Sequence, residues 1–159
     1  MKKSALFLSL SVASVILCLI LSPLVCMPVD TDEIMGTFEV SLFGPVIAAI
    51  LCSAVAAIFA NLFIKEVTDK NGTTNPIIMN IGLVLFGLFY GLRTAYADAS
   101  NVLSNFYFTW GSSGLSMSQL MPEWVDKFQQ TASIHTILMV VSILVAAFGI
   151  YKVYKSAHR

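Results

Sequence analysis

The sequence predicts an all-α integral membrane protein, a four-helix bundle with both termini on the same side of the bilayer. Four long apolar runs carry almost no ionisable side chains, and a membrane-spanning helix needs roughly 20 mostly apolar residues. Hydrophobic residues make up 57% of the chain and charged residues only 11%, against about 25% charged in an ordinary soluble domain. We therefore expect the 159 residues to form one transmembrane domain, residues 1–159, with spans at about 4–26, 41–64, 76–97 and 132–152.

The basic residues predict which side of the membrane each loop faces. Seven of the nine fall before the first span, between the second and third spans, or after the fourth. These seven are Lys2, Lys3, Lys65, Lys70, Lys152, Lys155 and Arg159. Only Arg93 and Lys127 fall on the other side. Because loops rich in lysine and arginine stay in the cytoplasm, we expect a multi-pass protein of the cytoplasmic (inner) membrane of a bacterium, with both termini cytoplasmic.

The first span is predicted to be a retained helix rather than a cleaved signal peptide. Its apolar stretch runs for about 22 residues, whereas a signal peptide has an apolar core of roughly 7–15 residues and ends in a small-x-small site. No such site follows here, and Pro23 and Pro28 mark the outer end of the helix. We expect a short acidic loop over residues 29–39 to lead to the second span.

The second span is distinguished by small residues at every fourth position. Gly44, Ala48, Cys52, Ala56 and Ala60 form this row. No hydrophobic force drives helices together in lipid, so small side chains that let two backbones approach closely become important. We expect this helix at the centre of the bundle, packed within the chain. The alternative is that the row forms a contact between the subunits of a homo-oligomer.

The third span begins at Pro76 and combines a second small-residue motif with a charge. Gly87 and Gly91 lie four residues apart, which is the spacing of close-packed membrane helices. The apolar part of this span is short. We therefore expect Arg93 near the outer interface, where its long side chain can reach the head groups. Asp98 is the best candidate for its charged partner.

The segment of residues 100–131 is the largest part of the chain predicted to lie outside the membrane. It contains the aromatic residues Phe106, Tyr107, Phe108 and Trp110. Residues 122–128 are typical of a short amphipathic helix before the fourth span, with Trp124 and Phe128 four positions apart on one face. Aromatic residues at this depth commonly form an interfacial belt. The alternative is a recognition surface for another protein.

No arrangement of residues in the sequence predicts an enzyme. We find no nucleophile–base pair, phosphate-binding loop or pair of catalytic carboxylates, and a formal net charge of zero argues against nucleic-acid binding. We also expect no cofactor and no metal. The candidate ligands for a soft metal are Cys26, His135 and Met139, whose donor atoms suit monovalent copper, but their spacing does not gather a site. A transmembrane haem needs two axial ligands, and of the histidines only His135 lies in or near a span.

Short motifs near the ends of the spans resemble a known family. The first span closes on Ser22-Pro23-Leu24-Val25, before an acidic loop that leads to Phe43-Gly44-Pro45. The third span closes on Arg93, and the fourth begins with Ile134-His135 on an apolar face. This order of features is similar to an uncharacterised family of four-helix membrane proteins. The family includes bacterial domains of unknown function and a eukaryotic transmembrane protein linked to cisplatin tolerance.

The resemblance covers nearly the whole chain, and two positions depart from it. Thr131 stands where the family tends to have an aromatic residue one turn before the histidine, and Leu92 stands where it tends to have a proline. The resemblance implies a four-helix bundle without established enzymatic activity. It also slightly favours the alternative that the protein handles a soft metal.

Together these features predict a non-enzymatic integral membrane protein that acts by packing and protein–protein contacts, as a scaffold or an accessory subunit. Its partners would be the lipid bilayer and either further copies of itself or other subunits of a membrane complex, with segment 100–131 as the contact surface. The residues expected to mediate packing or interaction are Gly44, Ala48, Cys52, Ala56, Ala60, Gly87, Gly91, Arg93, Trp124 and Phe128. One alternative is a small transporter, or a soft-metal or drug-tolerance factor, that works as an oligomer. Another is a haem-bearing or redox subunit.

Overall fold

Four α-helices account for nearly all of the described secondary structure in the computed structural model of the chain. The described residues are 3–26, 30–32, 37–40, 42–68, 76–111 and 121–157. The helices are α1 (Lys3–Leu24), α2 (Phe43–Thr68), α3 (Ile77–Gly111) and α4 (Met121–Ala157). Each helix is long and apolar enough to cross a membrane. The all-α class and the four long apolar helices expected from the sequence are therefore confirmed.

A short β-hairpin lies between α1 and α2. Its strands, β1 (Asp30–Asp32) and β2 (Thr37–Glu39), pair in antiparallel fashion with Thr31 opposite Phe38. The sequence predicted only an acidic loop over residues 29–39. Threonine and phenylalanine both have high strand propensity, which favours pairing in a segment whose acidic composition is more typical of a loop.

Helices α3 and α4 run well beyond the spans predicted from the sequence. α3 continues to Gly111 and α4 begins at Met121, although the predicted spans end at 97 and begin at 132. The predicted amphipathic helix of residues 122–128 is therefore not a separate element, since it forms the first part of α4. Neither glycine nor proline separates Phe128 from Ala132, so nothing interrupts the helical hydrogen bonds at that point.

The helices pack in the order of the sequence. α2 lies between α1 and α3, and α3 lies between α2 and α4, while α1 makes a smaller contact with α3. The α3–α4 pair has the most extensive contact of all. Among the described residues, α4 has little backbone contact with α1 or α2. The bundle is therefore an open row of helices rather than a closed ring.

Small residues form much of the interior, and large apolar residues cover the outside. Ala49 and Ala56 of α2 are fully buried. By contrast, Leu51 is 61% exposed, and Ile137 and Leu144 of α4 are 64% and 63% exposed. Exposed apolar surface on this scale is unusual for a soluble monomer. Acyl chains of a bilayer would cover it, which agrees with four spanning helices.

A proline inside α1 creates an unpaired carbonyl that another helix satisfies. Pro23 lies within α1 and has no N–H, so it cannot donate to the carbonyl oxygen of Leu19 four residues before it. The hydroxyl of Tyr90, on α3, donates to that oxygen at 3.0 Å. An unsatisfied carbonyl in a bilayer costs several kcal/mol. This hydrogen bond therefore fastens α1 to α3 at a position that the sequence of α1 alone leaves incomplete.

Candidate functional site

The α3–α4 pair has two ends with different chemistry. We call residues 93–104 and 123–136 the distal end, which lies nearest the α3–α4 connection. Residues 77–91 and 137–156 form the proximal end. Gly82 meets Ala146 at the proximal end, and Ser100 meets Val125 at the distal end, so the two helices run antiparallel along this whole length.

Glycine brings the two backbones together at the proximal end. A Cβ atom built on Gly149 would lie 2.6 Å from the Cα of Met79, and one built on Gly82 would lie 2.7 Å from the Cα of Ala146. Real Cβ atoms do not approach backbone atoms so closely, and interiors packed to this density do not accommodate added atoms without strain. The proximal end is therefore closed, with no room for a ligand between the helices at these positions.

The small-residue motifs predicted from the sequence also pack within the chain. Cβ atoms built on Gly87 and Gly91 would lie 2.7 Å from the Ala49 oxygen and the Val46 Cα, both on α2. One built on Gly44 would lie 2.5 Å from the carbonyl oxygen of Val25. In the predicted row Ala56 is buried, and Ala48, Cys52 and Ala60 are half-buried. These glycines thus serve contacts of α2 with α3 and with the end of α1.

A polar stripe on α1 also packs against α2, and the sequence analysis missed it. The hydroxyl of Ser11 donates to the Ala56 carbonyl at 2.9 Å. The Ser22 hydroxyl donates to the Pro45 carbonyl at 3.1 Å. The Cys18 thiol donates to the Ala49 carbonyl at 3.6 Å. Ser11, Cys18 and Ser22 are seven and then four positions apart, which places them on one face of a helix. This spacing could have predicted the stripe from the sequence.

Aromatic rings hold the distal end together. Tyr96 of α3 lies with its ring centroid 6.0 Å from that of Phe128, and Phe128 lies 5.7 Å from Trp124. Phe128 is buried in a cluster with Ala99 and Leu103. Trp124 and Phe128, predicted to share one helical face, thus pack together. The face that they form is an internal contact with α3 rather than an independent amphipathic surface.

His135 belongs to the same aromatic group. Its ring stacks on that of Tyr96, with ring centroids 5.6 Å apart and an angle of 16° between the ring planes. The centroid of the Phe89 ring lies 6.2 Å from that of His135. Its Nδ1 lies 2.7 Å from the carbonyl oxygen of Thr131. Because a carbonyl only accepts hydrogen bonds, Nδ1 carries the proton, which leaves Nε2 as the only nitrogen able to bind a metal in the neutral ring.

The three candidate metal ligands have different surroundings. Met139 packs against the buried cluster that contains Phe86, one turn from His135 along α4. Cys26 follows the end of α1, and its thiol lies 3.6 Å from the Ser22 carbonyl oxygen. Burial, and after it the charge of Asp98, raises the pKa of the Cys26 thiol from 9.0 to about 11. Because metals bind the thiolate, a metal at this position would have to displace the proton of the thiol. Within the described ranges, no three His, Cys, Asp or Glu side chains are grouped to hold a metal.

A polar groove of about 300 Å³ lies between the two helices at the distal end. On α3 it is lined by Arg93, Ala97, Ser100, Asn101 and Ser104. On α4 it is lined by Val125, Gln129, Ala132, Ser133 and Thr136. In each set the later residues lie four, seven, eight and eleven positions after the first, which is Arg93 on α3 and Val125 on α4. This spacing places each set on one face of its α-helix. Two polar faces meet here, and the small side chains of the two alanines leave space between them.

Arg93 is the charged residue of the polar groove. Its Nε donates to the hydroxyl of Thr136 at 3.2 Å, and that hydroxyl donates in turn to the carbonyl of Ala132 at 2.9 Å. The sequence analysis expected Asp98 as its charged partner, but Asp98 lies near Cys26 instead. Positions five apart are about 140° apart around a helix, so the two side chains point in different directions. In the described part of the chain Arg93 forms no ion pair.

Part of the predicted contact surface falls outside the described residues. Residues 112–120 lie outside the described residues, and so do the side chains of 105–111. The predicted aromatic residues Phe106, Tyr107, Phe108 and Trp110 fall in that helical stretch. The distal end that the structure describes is therefore the base of segment 100–131 rather than all of it.

Comparison of the chain with protein-family models, with curated proteins and with solved structures finds no match.

Proposed function

We propose that this chain is a non-enzymatic multi-pass membrane protein that acts through protein–protein contacts made by segment 100–131. It serves as a scaffold or an accessory subunit of a membrane complex. Both termini lie in the cytoplasm, the distal end projects from the outer face of the cytoplasmic membrane, and lipid surrounds the four helices. The resemblance to the four-helix family linked to cisplatin tolerance remains part of this proposal.

The observation that carries the proposal is the packing of the distal end. Here α3 and α4 continue past the predicted spans as two joined helices, with Leu103 and Phe128 only 1% and 5% exposed. A pair of helices with its own buried cluster is a rigid support, whereas a membrane anchor needs no such extension. Val40, just after β2, packs against the same cluster. The support is thus built from two parts of the chain, and it forms the base of segment 100–131.

A photo-crosslinking experiment in native membranes tests this function. A photoreactive amino acid replaces Asn101 or Glu123, both exposed at the distal end, and matched controls carry it at Ile143 or Leu144, which are exposed at the proximal end. We expect the two distal positions to form the same discrete protein adduct. The proximal positions should react with lipid only.

Two results would contradict the proposal. One is a distal position that yields no protein adduct, or only the adducts that the proximal controls also yield. The other is a protein that runs as a lone monomer after extraction in mild detergent, since a scaffold or an accessory subunit must remain with its partner.

A further inference from the structure

We propose that the polar groove binds the phosphate group of a ligand at the membrane surface, with Arg93 as the cation that holds it. Five of the ten residues that line the groove belong to segment 100–131, so the site lies at the base of that segment. It goes beyond the proposed function because it assigns a ligand chemistry to the base of the distal end.

The charge of the polar groove favours an anion. Among the described residues that line it, Arg93 is the only charged one, and none is acidic. Its Nε donates to the hydroxyl of Thr136, which orients the guanidinium, and no described residue accepts a hydrogen bond from its terminal nitrogens. Guanidinium groups match the oxygens of phosphate in a bidentate arrangement. Arg93 is expected near the outer interface, where its long side chain is within reach of the anionic phosphates of the head groups.

Neutral donors beside Arg93 supply further hydrogen bonds. Asn101, Ser104 and Gln129 line the polar groove, and no hydrogen bond of their side chains occurs in the described part of the chain. The hydroxyls of Ser100 and Ser133 already donate to the carbonyls of Val125 and Gln129. The free donors are therefore amides and one hydroxyl, which suit the several acceptor oxygens of a phosphate.

The position of the groove favours a lipid as the source of the phosphate. From Arg93 to Ser104 the helix rises about 17 Å, starting at the predicted interface. Ile137 and Val140 continue the face of Ser133 toward the proximal end, and both are exposed. An acyl chain could lie on that apolar face while its head group occupies the polar groove. Inorganic phosphate could form the same hydrogen bonds with Arg93, but it has no acyl chain to lie on the apolar face.

A titration of the full-length protein in mild detergent tests the site. The probes are short-chain phosphatidylglycerol, the matching diacylglycerol without phosphate, and inorganic phosphate, with binding followed as a shift in melting temperature. We expect phosphatidylglycerol to bind and diacylglycerol not to bind. Arg93→Gln should weaken the binding at least about ten-fold, because charge-assisted hydrogen bonds are lost.

Control variants separate binding from folding. Lys127→Gln removes a cation that lies over Trp124 instead of lining the polar groove, and it should leave the affinity unchanged. Arg93→Lys keeps the charge and should restore part of the affinity. Ser133→Leu fills the groove from an exposed position, which spares the fold, and it should also weaken binding.

Each outcome decides the proposal. If inorganic phosphate competes with the lipid at similar concentration, the phosphate site stands and its source is a soluble ligand. If it does not compete, the source is the lipid head group. Binding of diacylglycerol as tight as that of phosphatidylglycerol would overturn the proposal. Unchanged affinity in both Arg93→Gln and Ser133→Leu would overturn it as well.

Discussion

The proximal and distal ends of the α3–α4 pair are held together by opposite kinds of side chain. At the proximal end, Gly82 and Gly149 let the backbones of the two helices touch. At the distal end, the rings of Tyr96, Phe128 and His135 fill the space between the helices, and a polar groove remains beside them. The same two helices thus change from close backbone contact to side-chain contact along their length.

The difference follows from what surrounds each end. In a bilayer the lipid is as apolar as leucine, so large side chains gain little by turning inward, and tight packing of small residues stabilises the pair. Near water, burial of an aromatic ring is favourable in itself. This difference supports the proposal that the proximal end lies in lipid and the distal end at or beyond the interface.

The largest effect is expected from removing the central ring of the distal end. Phe128→Ala should destabilise the fold by about 3–5 kcal/mol, because the deletion of a buried Phe leaves a cavity. Phe148→Ala is the matched control on the same helix, since Phe148 is 53% exposed, and it should cost far less. The measurement is the melting temperature of each variant in the same detergent. Equal decreases in melting temperature in the two variants would show that the distal end has no buried interior of its own.

The next effect concerns the hydrogen bond between α3 and α1. Tyr90→Phe leaves the Leu19 carbonyl without a donor, because Pro23 cannot supply one, and it should cost about 1–3 kcal/mol. Tyr151→Phe, at an exposed tyrosine, is the control. In a Pro23→Ala background the alanine N–H can reach the Leu19 oxygen, so the cost of Tyr90→Phe should fall. An undiminished cost in that double variant would mean that the carbonyl is not the reason for the effect.

A smaller effect tests the backbone contact of the proximal end. In an ordinary helix, glycine to alanine is favourable by about 1 kcal/mol. Gly149→Ala should instead destabilise the fold by about 1 kcal/mol net, because overpacking costs about 1–3 kcal/mol. Ala147→Leu, at an exposed position on the same turn, adds more volume and should be nearly neutral. A higher melting temperature for Gly149→Ala would refute the close approach at this position.

The mildest prediction concerns the reactivity of Cys26. With its pKa raised to about 11, the thiol should be slow to alkylate at pH 8, and the rate should rise with pH up to about 11, because only the thiolate reacts. Burial is the larger cause and Asp98 the smaller. Asp98→Asn should therefore lower the pKa and speed alkylation only a few-fold, while Asp126→Asn should not change it. A fast reaction at pH 8 in the unmodified protein would contradict the burial of this thiol.

The sequence was informative about the four helices and less so about how they meet. Long apolar runs determine helix number and type almost by themselves, and the small residues Gly87 and Gly91 lie where α3 and α2 approach closely. Helices α3 and α4 extend beyond the predicted spans of 76–97 and 132–152, because their polar distal residues are not typical of a membrane helix. A helix can extend past an apolar run through polar residues, so hydropathy does not mark its end.

The polar groove could not be predicted because it depends on the register between two helices. Asn101 and Ser104 repeat on one face of α3, as Gln129 and Ser133 do on α4. Whether these two faces meet depends on the crossing set by Gly82 and Gly149 at the other end of the pair. Such a long-range relation cannot be read from local spacing. The same holds for Tyr90, whose partner is a carbonyl on α1.

The most direct test of the central claim is the accessibility of the two ends of the pair in intact cells. In a background with Cys18, Cys26 and Cys52 replaced by serine, single cysteines are introduced as Asn101→Cys or Lys155→Cys and treated with a maleimide that does not cross membranes. We predict labelling of Asn101→Cys in intact cells and of Lys155→Cys only after permeabilisation. Labelling of Lys155→Cys from outside, with protection of Asn101→Cys, would contradict a distal end that projects from the outer face.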